Sequence, residues 1–192
     1  MASPDPVLHL IAGPNGAGKT TLATRVIAPV THLPFINADV IAAQRWPEAQ
    51  AEHAYEASQV AADQRQELIL ARASFITETV FSHPSKLALI RDAQDEGYLV
   101  LLHVVLVPEG LSVARVGDRV RRGGHTVPED KIRERYRRLW ALVVQARALA
   151  ERAYIYDNSR ATTPLRLVAS DERGELVGAT DWPTWTPHAL TA

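Results

Sequence analysis

The chain has no cysteine, which removes disulfide scaffolds, thiolate metal sites and cysteine nucleophiles together. Long apolar runs are missing too. None approaches the ~20 residues that a membrane-spanning helix requires, and residues 1–6 have neither the positive flank nor the apolar core of a signal peptide. A cytoplasmic protein with no membrane partner is expected. Aromatic residues are scarce at 6%, and lysine is rarer still, with 3 Lys beside 18 Arg. No charge sign dominates: 21 basic and 22 acidic side chains leave a net charge of -1, unlike a protein that coats nucleic acid or anionic lipid. Any basic site must therefore be local. What is present is an ordinary globular composition, 46% apolar over 192 residues, the size of a single domain.

Strand-like and helix-like segments alternate along that length. Residues 7–12 form a short apolar run that stops at glycine, which suits a buried parallel strand. Residues 19–27 have helical spacing ended by Pro29. Phe35-Ile36 reads as a second strand, and after the break at Trp46-Pro47 residues 48–73 read as one long helix. Residues 74–77 form a third strand running into Glu78, residues 87–96 a helix capped by Gly97, and residues 98–107 the most apolar strand, expected at the centre of a sheet. Two helices, 111–122 and 128–152, and strands at 154–156 and 165–169 follow, with 175–177 a hairpin partner. The tail 181–192 has no periodicity. This alternation predicts an α/β three-layer domain with a mainly parallel central sheet, and ligands in such folds bind at the carboxyl ends of the strands.

Gly13-Pro14-Asn15-Gly16-Ala17-Gly18-Lys19-Thr20 satisfies the phosphate-loop pattern between a strand and a helix. Small residues let backbone amides turn inward around phosphate oxygens, Lys19 bridges the outer phosphates, and the Thr20 hydroxyl ligates a magnesium ion. Thr21 extends the nucleotide-binding segment. The pattern predicts a nucleoside triphosphate site, with ATP and Mg2+ as cofactors, and leaves the phosphoryl acceptor open.

Transfer to a hydroxyl requires a carboxylate to take its proton and positive groups over the moving phosphoryl. Asp39, just beyond the second strand, is the candidate base; an N-cap of the following helix is the competing reading. Glu78, with Thr79, is a candidate substrate contact or magnesium-positioning group, against a solvated loop acid. Between Arg115 and Arg138 nine basic side chains face four acidic ones. Part of that charge is a solvated helix face, but Arg119, Arg121 and Arg122 precede Gly123-Gly124-His125, so a small helical lid over about residues 115–135 could bring guanidinium groups onto the nucleotide. His125 is either a turn residue or a catalytic group.

Four segments in this order, Gly13 to Thr21, Asn37-Ala38-Asp39, Phe75 to Phe81 and Arg119 to Arg135, resemble the zeta-toxin family of phosphate-loop kinases in its shorter form with Gly-Gly-His-x-Val-Pro. The resemblance spans residues 8–158. It implies an ATP-dependent kinase that phosphorylates a hydroxyl of UDP-N-acetylglucosamine, with an antitoxin protein as a possible partner. Carried over, Lys19 would hold the phosphates, Asp39 would be the base, Glu78 would contact the sugar nucleotide, and Arg119 would be the first phosphate clamp. Asn37 and Thr79 are further candidate substrate contacts, and Asn158 resembles the position where related kinases touch adenine, its other reading being a turn asparagine. Where longer members place a second arginine this sequence offers His125, with Arg122 close by. Two other readings stand beside it: a kinase of the same fold with another hydroxyl acceptor, such as an antibiotic, a nucleoside or an RNA end, and a nucleotide-switched nucleic-acid-binding module. Near-neutral charge and few aromatics in the basic stretch argue against the last.

Overall fold

The computed structural model of the chain describes residues 4–121 and 127–191. A seven-stranded sheet in the order β2-β3-β1-β4-β5-β6-β7 organises it. Its strands are β1 (Val7–Ala12), β2 (Phe35–Ile36), β3 (Phe75–Thr79), β4 (Leu99–Leu106), β5 (Arg152–Asp157), β6 (Arg166–Glu172) and β7 (Glu175–Leu176). All pairs from β2 through β5 are parallel, and β6 and β7 are added antiparallel at one edge. The apolar β4 is the middle strand, as its composition predicts.

Successive side chains of a strand face opposite ways, and β1 uses both faces. Leu8, Leu10 and Ala12 join the core beneath α4 (Ala54–Leu70), α5 (Ser85–Asp95) and α7 (Glu129–Leu149). Ile11 joins a second cluster with Ala17 of the loop and Leu22, Ala23 and Ile27 of the helical segment after it. The sheet thus lies between two helical layers, and the carboxyl ends of β1, β2 and β3 open at one mouth. Among the described residues no helix is long and apolar enough to cross a membrane.

Two boundaries differ most from expectation. The helix after the phosphate loop does not stop before Pro29: α1 (Lys19–Leu22), a π-helical turn (Ala23–Ile27) and α2 (Ala28–Thr31) run on end to end. Proline has no N–H to give to the preceding turn, and the wider turn before it shifts the pairing, so the segment continues to His32, which closes it with φ 56°. The second boundary is the long helix expected from residue 48, which begins only at Ala54. Trp46 and His53 stack at 4.7 Å between ring centres, and the chain between them turns through Ala49 N–H to Trp46 O and His53 N–H to Ala49 O. α3 (Ala38–Arg45) and α6 (Glu109–Arg121) complete the helices named here. The tail is ordered without periodicity: Trp182 and Trp185 pack against the core, and Leu190 is buried.

Candidate active site

The chain leaves β1 into a loop whose glycines are required by its path. Gly13, Gly16 and Gly18 have φ of 151°, 68° and 97°, where side chains other than hydrogen are strained. Space is short as well, since a Cβ on Gly13 would stand 2.5 Å from Val105 O. Four successive carbonyls of the loop each have a side-chain donor. Lys19 Nζ donates to Pro14 O at 3.0 Å, Ser112 Oγ to Asn15 O at 2.6 Å, Arg115 Nη1 to Gly16 O at 3.3 Å, and Asn158 Nδ2 to Ala17 O at 2.7 Å.

Beside the loop lies a cleft of about 390 Å³ in which Lys19, Thr20, Asp39, Glu78 and Arg119 meet. Asn37 caps α3, its Oδ1 accepting from Val40 N–H at 3.0 Å. Asp39 is therefore not the cap; it stands in the first turn of α3, exposed to the cleft. β3 pairs with β1 so that Glu78 lies opposite Ile11, which brings its carboxylate to the loop. Glu78 Oε1 accepts from Thr20 Oγ1 at 3.0 Å, and Oε2 is buried with no hydrogen-bond partner among the described residues.

Burial governs the electrostatics. It pushes the Glu78 carboxyl above its ordinary pKa, against the pull of the Lys19 ammonium and the Thr20 and Asn37 side chains. It drives Lys19 downward, where Glu78 and Asp39 restore its charge and Arg119 opposes them. Lys19, Glu78, Asp39 and Arg119 thus act on one another at close range.

Of the residues singled out by sequence, Asn15, Gly16, Gly18, Lys19, Thr20, Thr21, Asn37, Asp39, Glu78, Thr79 and Arg119 line this cleft. Gly13, Pro14 and Ala17 form the loop behind its lining. The side chain of Asn158 is committed to backbone on both sides, donating to Ala17 O and accepting from Leu165 N–H at 3.2 Å. Arg122 and His125 lie outside the described residues. Arg115, which sequence reasoning did not single out, lines the cleft one helical turn before Arg119. That four-residue spacing on α6 was the available signal. A depression of about 560 Å³ at the opposite end of the sheet, walled by Leu99, Glu151, Arg152, Glu172 and Arg173, is lined by mixed charges and has no comparable convergence on a glycine loop.

The family model described as zeta toxin matches residues 1–165. The chain belongs to the zeta toxin family. A search of curated proteins gives no significant match. Among solved structures, a chain from the PezAT chromosomal toxin–antitoxin system of Streptococcus pneumoniae aligns with TM-score 0.61 and 17% identity, over 82% of this chain and 70% of that one. The AvrRxo1-ORF1:-ORF2 structure with ATP aligns with TM-score 0.69 and 20% identity, over 90% of this chain and 60% of that one. Shikimate kinase from Acinetobacter baumannii in complex with shikimate aligns with TM-score 0.54 and 19% identity, over 82% and 86%. This zeta toxin family member therefore has the fold of phosphate-loop kinases, and spans 60% of the length of the AvrRxo1 chain. Family and fold together support an ATP-dependent phosphotransferase.

Proposed function

We propose that this protein transfers the terminal phosphoryl group of ATP to a sugar hydroxyl of UDP-N-acetylglucosamine. The observation that carries the reading is the meeting of Lys19, Asp39, Glu78 and Arg119 in one cleft beside the phosphate loop. Lys19 and the loop amides hold the triphosphate tail, and Arg119 offsets negative charge on the moving group. The exposed Asp39 carboxylate takes the proton of the acceptor hydroxyl. The acceptor oxygen forms the new O–P bond as the bond between the γ-phosphorus and the β–γ bridging oxygen breaks, and ADP leaves with that oxygen. Glu78, with Asn37 and Thr79, lines the acceptor side, and Arg122 and His125 are candidates for the second clamp. Residues 1–192 act as one kinase domain with its lid over about residues 115–135.

The oxygen donors here fit magnesium. Thr20 Oγ1 lies on a carboxylate whose second oxygen is buried with no hydrogen-bond partner among the described residues, and a hard cation that keeps phosphate and water in its shell needs only one or two protein groups. Thr20 directly, and Glu78 directly or through water, would hold it. Bound there, the ion neutralises phosphate oxygen charge.

The test is to incubate the protein with magnesium-ATP and UDP-N-acetylglucosamine and follow the sugar nucleotide by mass. One added phosphate is the expected result. ATP-binding protein that leaves UDP-N-acetylglucosamine unchanged overturns the acceptor, and a panel of antibiotic, nucleoside and RNA-end hydroxyls then identifies the replacement. With the proposed reaction goes toxicity on expression, relieved by a protein antitoxin and dependent on both Lys19 and Asp39.

A further inference from the structure

Ser112 is wholly buried in α6, a helix-interior position where serine is a poor choice on propensity alone. Its hydroxyl is spent on a backbone carbonyl 97 residues away, Asn15 O. One turn on, the Arg115 guanidinium spans two segments, Nη1 donating to Gly16 O and Nη2 to Asn158 O at 3.0 Å. Loop and helix also touch without side chains between them. A Cβ on Gly16 would lie 3.0 Å from Arg115 Cβ and 3.1 Å from Ser112 O, so any larger residue there would push α6 away.

The carbonyl and N–H of a trans peptide point in opposite directions. Holding the Asn15 and Gly16 carbonyls against α6 therefore fixes the direction of the Gly16 and Ala17 amides. The Ala17 N–H is also held by Pro14 O at 3.2 Å, so the Gly16–Ala17 peptide is tied from both sides, whereas releasing the Asn15 carbonyl removes the side-chain hold on the Asn15–Gly16 peptide. The same helix carries Arg119, four residues beyond Arg115, and both arginines line the cleft.

Resting on the nucleotide site described above, we propose that Ser112 and Arg115 are positioning residues that latch the phosphate loop to α6, setting the loop for triphosphate and passing its occupancy to the helix that carries Arg119. Neither is a catalytic residue in this role. Ser112 acts wholly through the Asn15 carbonyl, and Arg115 through the Gly16 and Asn158 carbonyls.

The experiment measures magnesium-ATP affinity by calorimetry and amide hydrogen exchange across residues 111–121, with and without ATP, in the full chain. In the wild type ATP slows exchange in α6. Ser112→Ala should weaken ATP binding about ten-fold and lose that ATP-dependent protection, while Ser112→Thr, which keeps the hydroxyl, should retain both. Arg115→Lys keeps the charge but cannot span two carbonyls, and should behave as Ser112→Ala does. It supplies the same test if the alanine variant folds poorly. Variants with wild-type affinity and wild-type protection overturn the latch; weakened affinity with unchanged protection overturns the link to α6. A wild-type chain that binds no ATP overturns the nucleotide site itself, a result distinct from either.

Discussion

Lys19 is held between opposing effects. Its ammonium is buried against Pro14 O and destabilised by that burial, with Glu78 and Asp39 supplying the opposing charge. Lys19→Ala should reduce turnover to background in an assay of ADP release. Asp39→Asn keeps the shape and removes the proton acceptor, so kcat should fall roughly 100-fold or more with ATP affinity little changed; an asparagine variant at full rate would leave Asp39 no part in proton transfer. At Gly18 the argument is steric. Its φ of 97° excludes most side chains, and a Cβ would meet Asn158 Nδ2 at 2.4 Å. Gly18→Ala should therefore displace Asn158 from Ala17 O and weaken ATP binding about ten-fold or more, measurable by calorimetry. The sequence pattern located Lys19 and Thr20 because the loop chemistry is local. It could not choose between base and cap for Asp39, since both readings use an acid near a helix start, and only the Asn37 bond to Val40 N–H separates them.

At the scale of elements, β1, β4 and β5 share a stacked set of rings that the proposed reaction does not use. His103 lies 5.4 Å from His9 and 5.5 Å from Tyr154, centre to centre. His103 Nε2 is 3.1 Å from His9 Nδ1, and its Nδ1 is 3.4 Å from the Tyr156 hydroxyl. Burial, and then His9, lower the His103 pKa to about 3, while burial holds the Tyr156 hydroxyl up at about 12. Below pH 6.5 the unfolded chain takes a proton at His103 that the folded chain refuses until about pH 3, so stability falls as pH drops through that window. From pH 6.5 to 5 the loss from this group is roughly 2 kcal/mol. His103→Phe should flatten that slope in urea melts at pH 7 and pH 5, and an unchanged slope would mean that the ring titrates freely. A short apolar run stopping at glycine made β1 legible, and the apolar run of β4 gave its central place. Helix limits were less so, because Pro29 and Pro47 read as stops, whereas a π-helical turn carries the chain through the first and Trp46–His53 stacking delays the helix beyond the second.

The whole molecule is closed by a contact invisible in any local pattern. Beyond the packing of Trp182, Trp185 and Leu190, the tail is tied down by one buried side chain, Arg147 on α7. Its guanidinium pairs with the buried Asp171 of β6 through Nε to Oδ2 and through Nη2 to Oδ1, the latter at 3.1 Å, and Nη1 donates to Leu190 O at 2.9 Å. Partners 24 and 43 residues away cannot be read from spacing. Arg147→Met fills similar space but leaves Asp171 buried without its cation, which costs about 3–5 kcal/mol when one partner alone is removed. It also frees Leu190 O, so Trp185, which lines a groove with Trp140 and Tyr136, should become more exposed. Urea melts should show the loss in stability, and tryptophan emission of the folded variant should shift to longer wavelength. Removing both charges in Arg147→Met/Asp171→Leu leaves no stranded ion, so it should recover much of the melting midpoint but not the emission, because the Leu190 anchor is still absent. A single variant as stable as the wild type would mean that the sheet edge and tail hold each other without the ion pair.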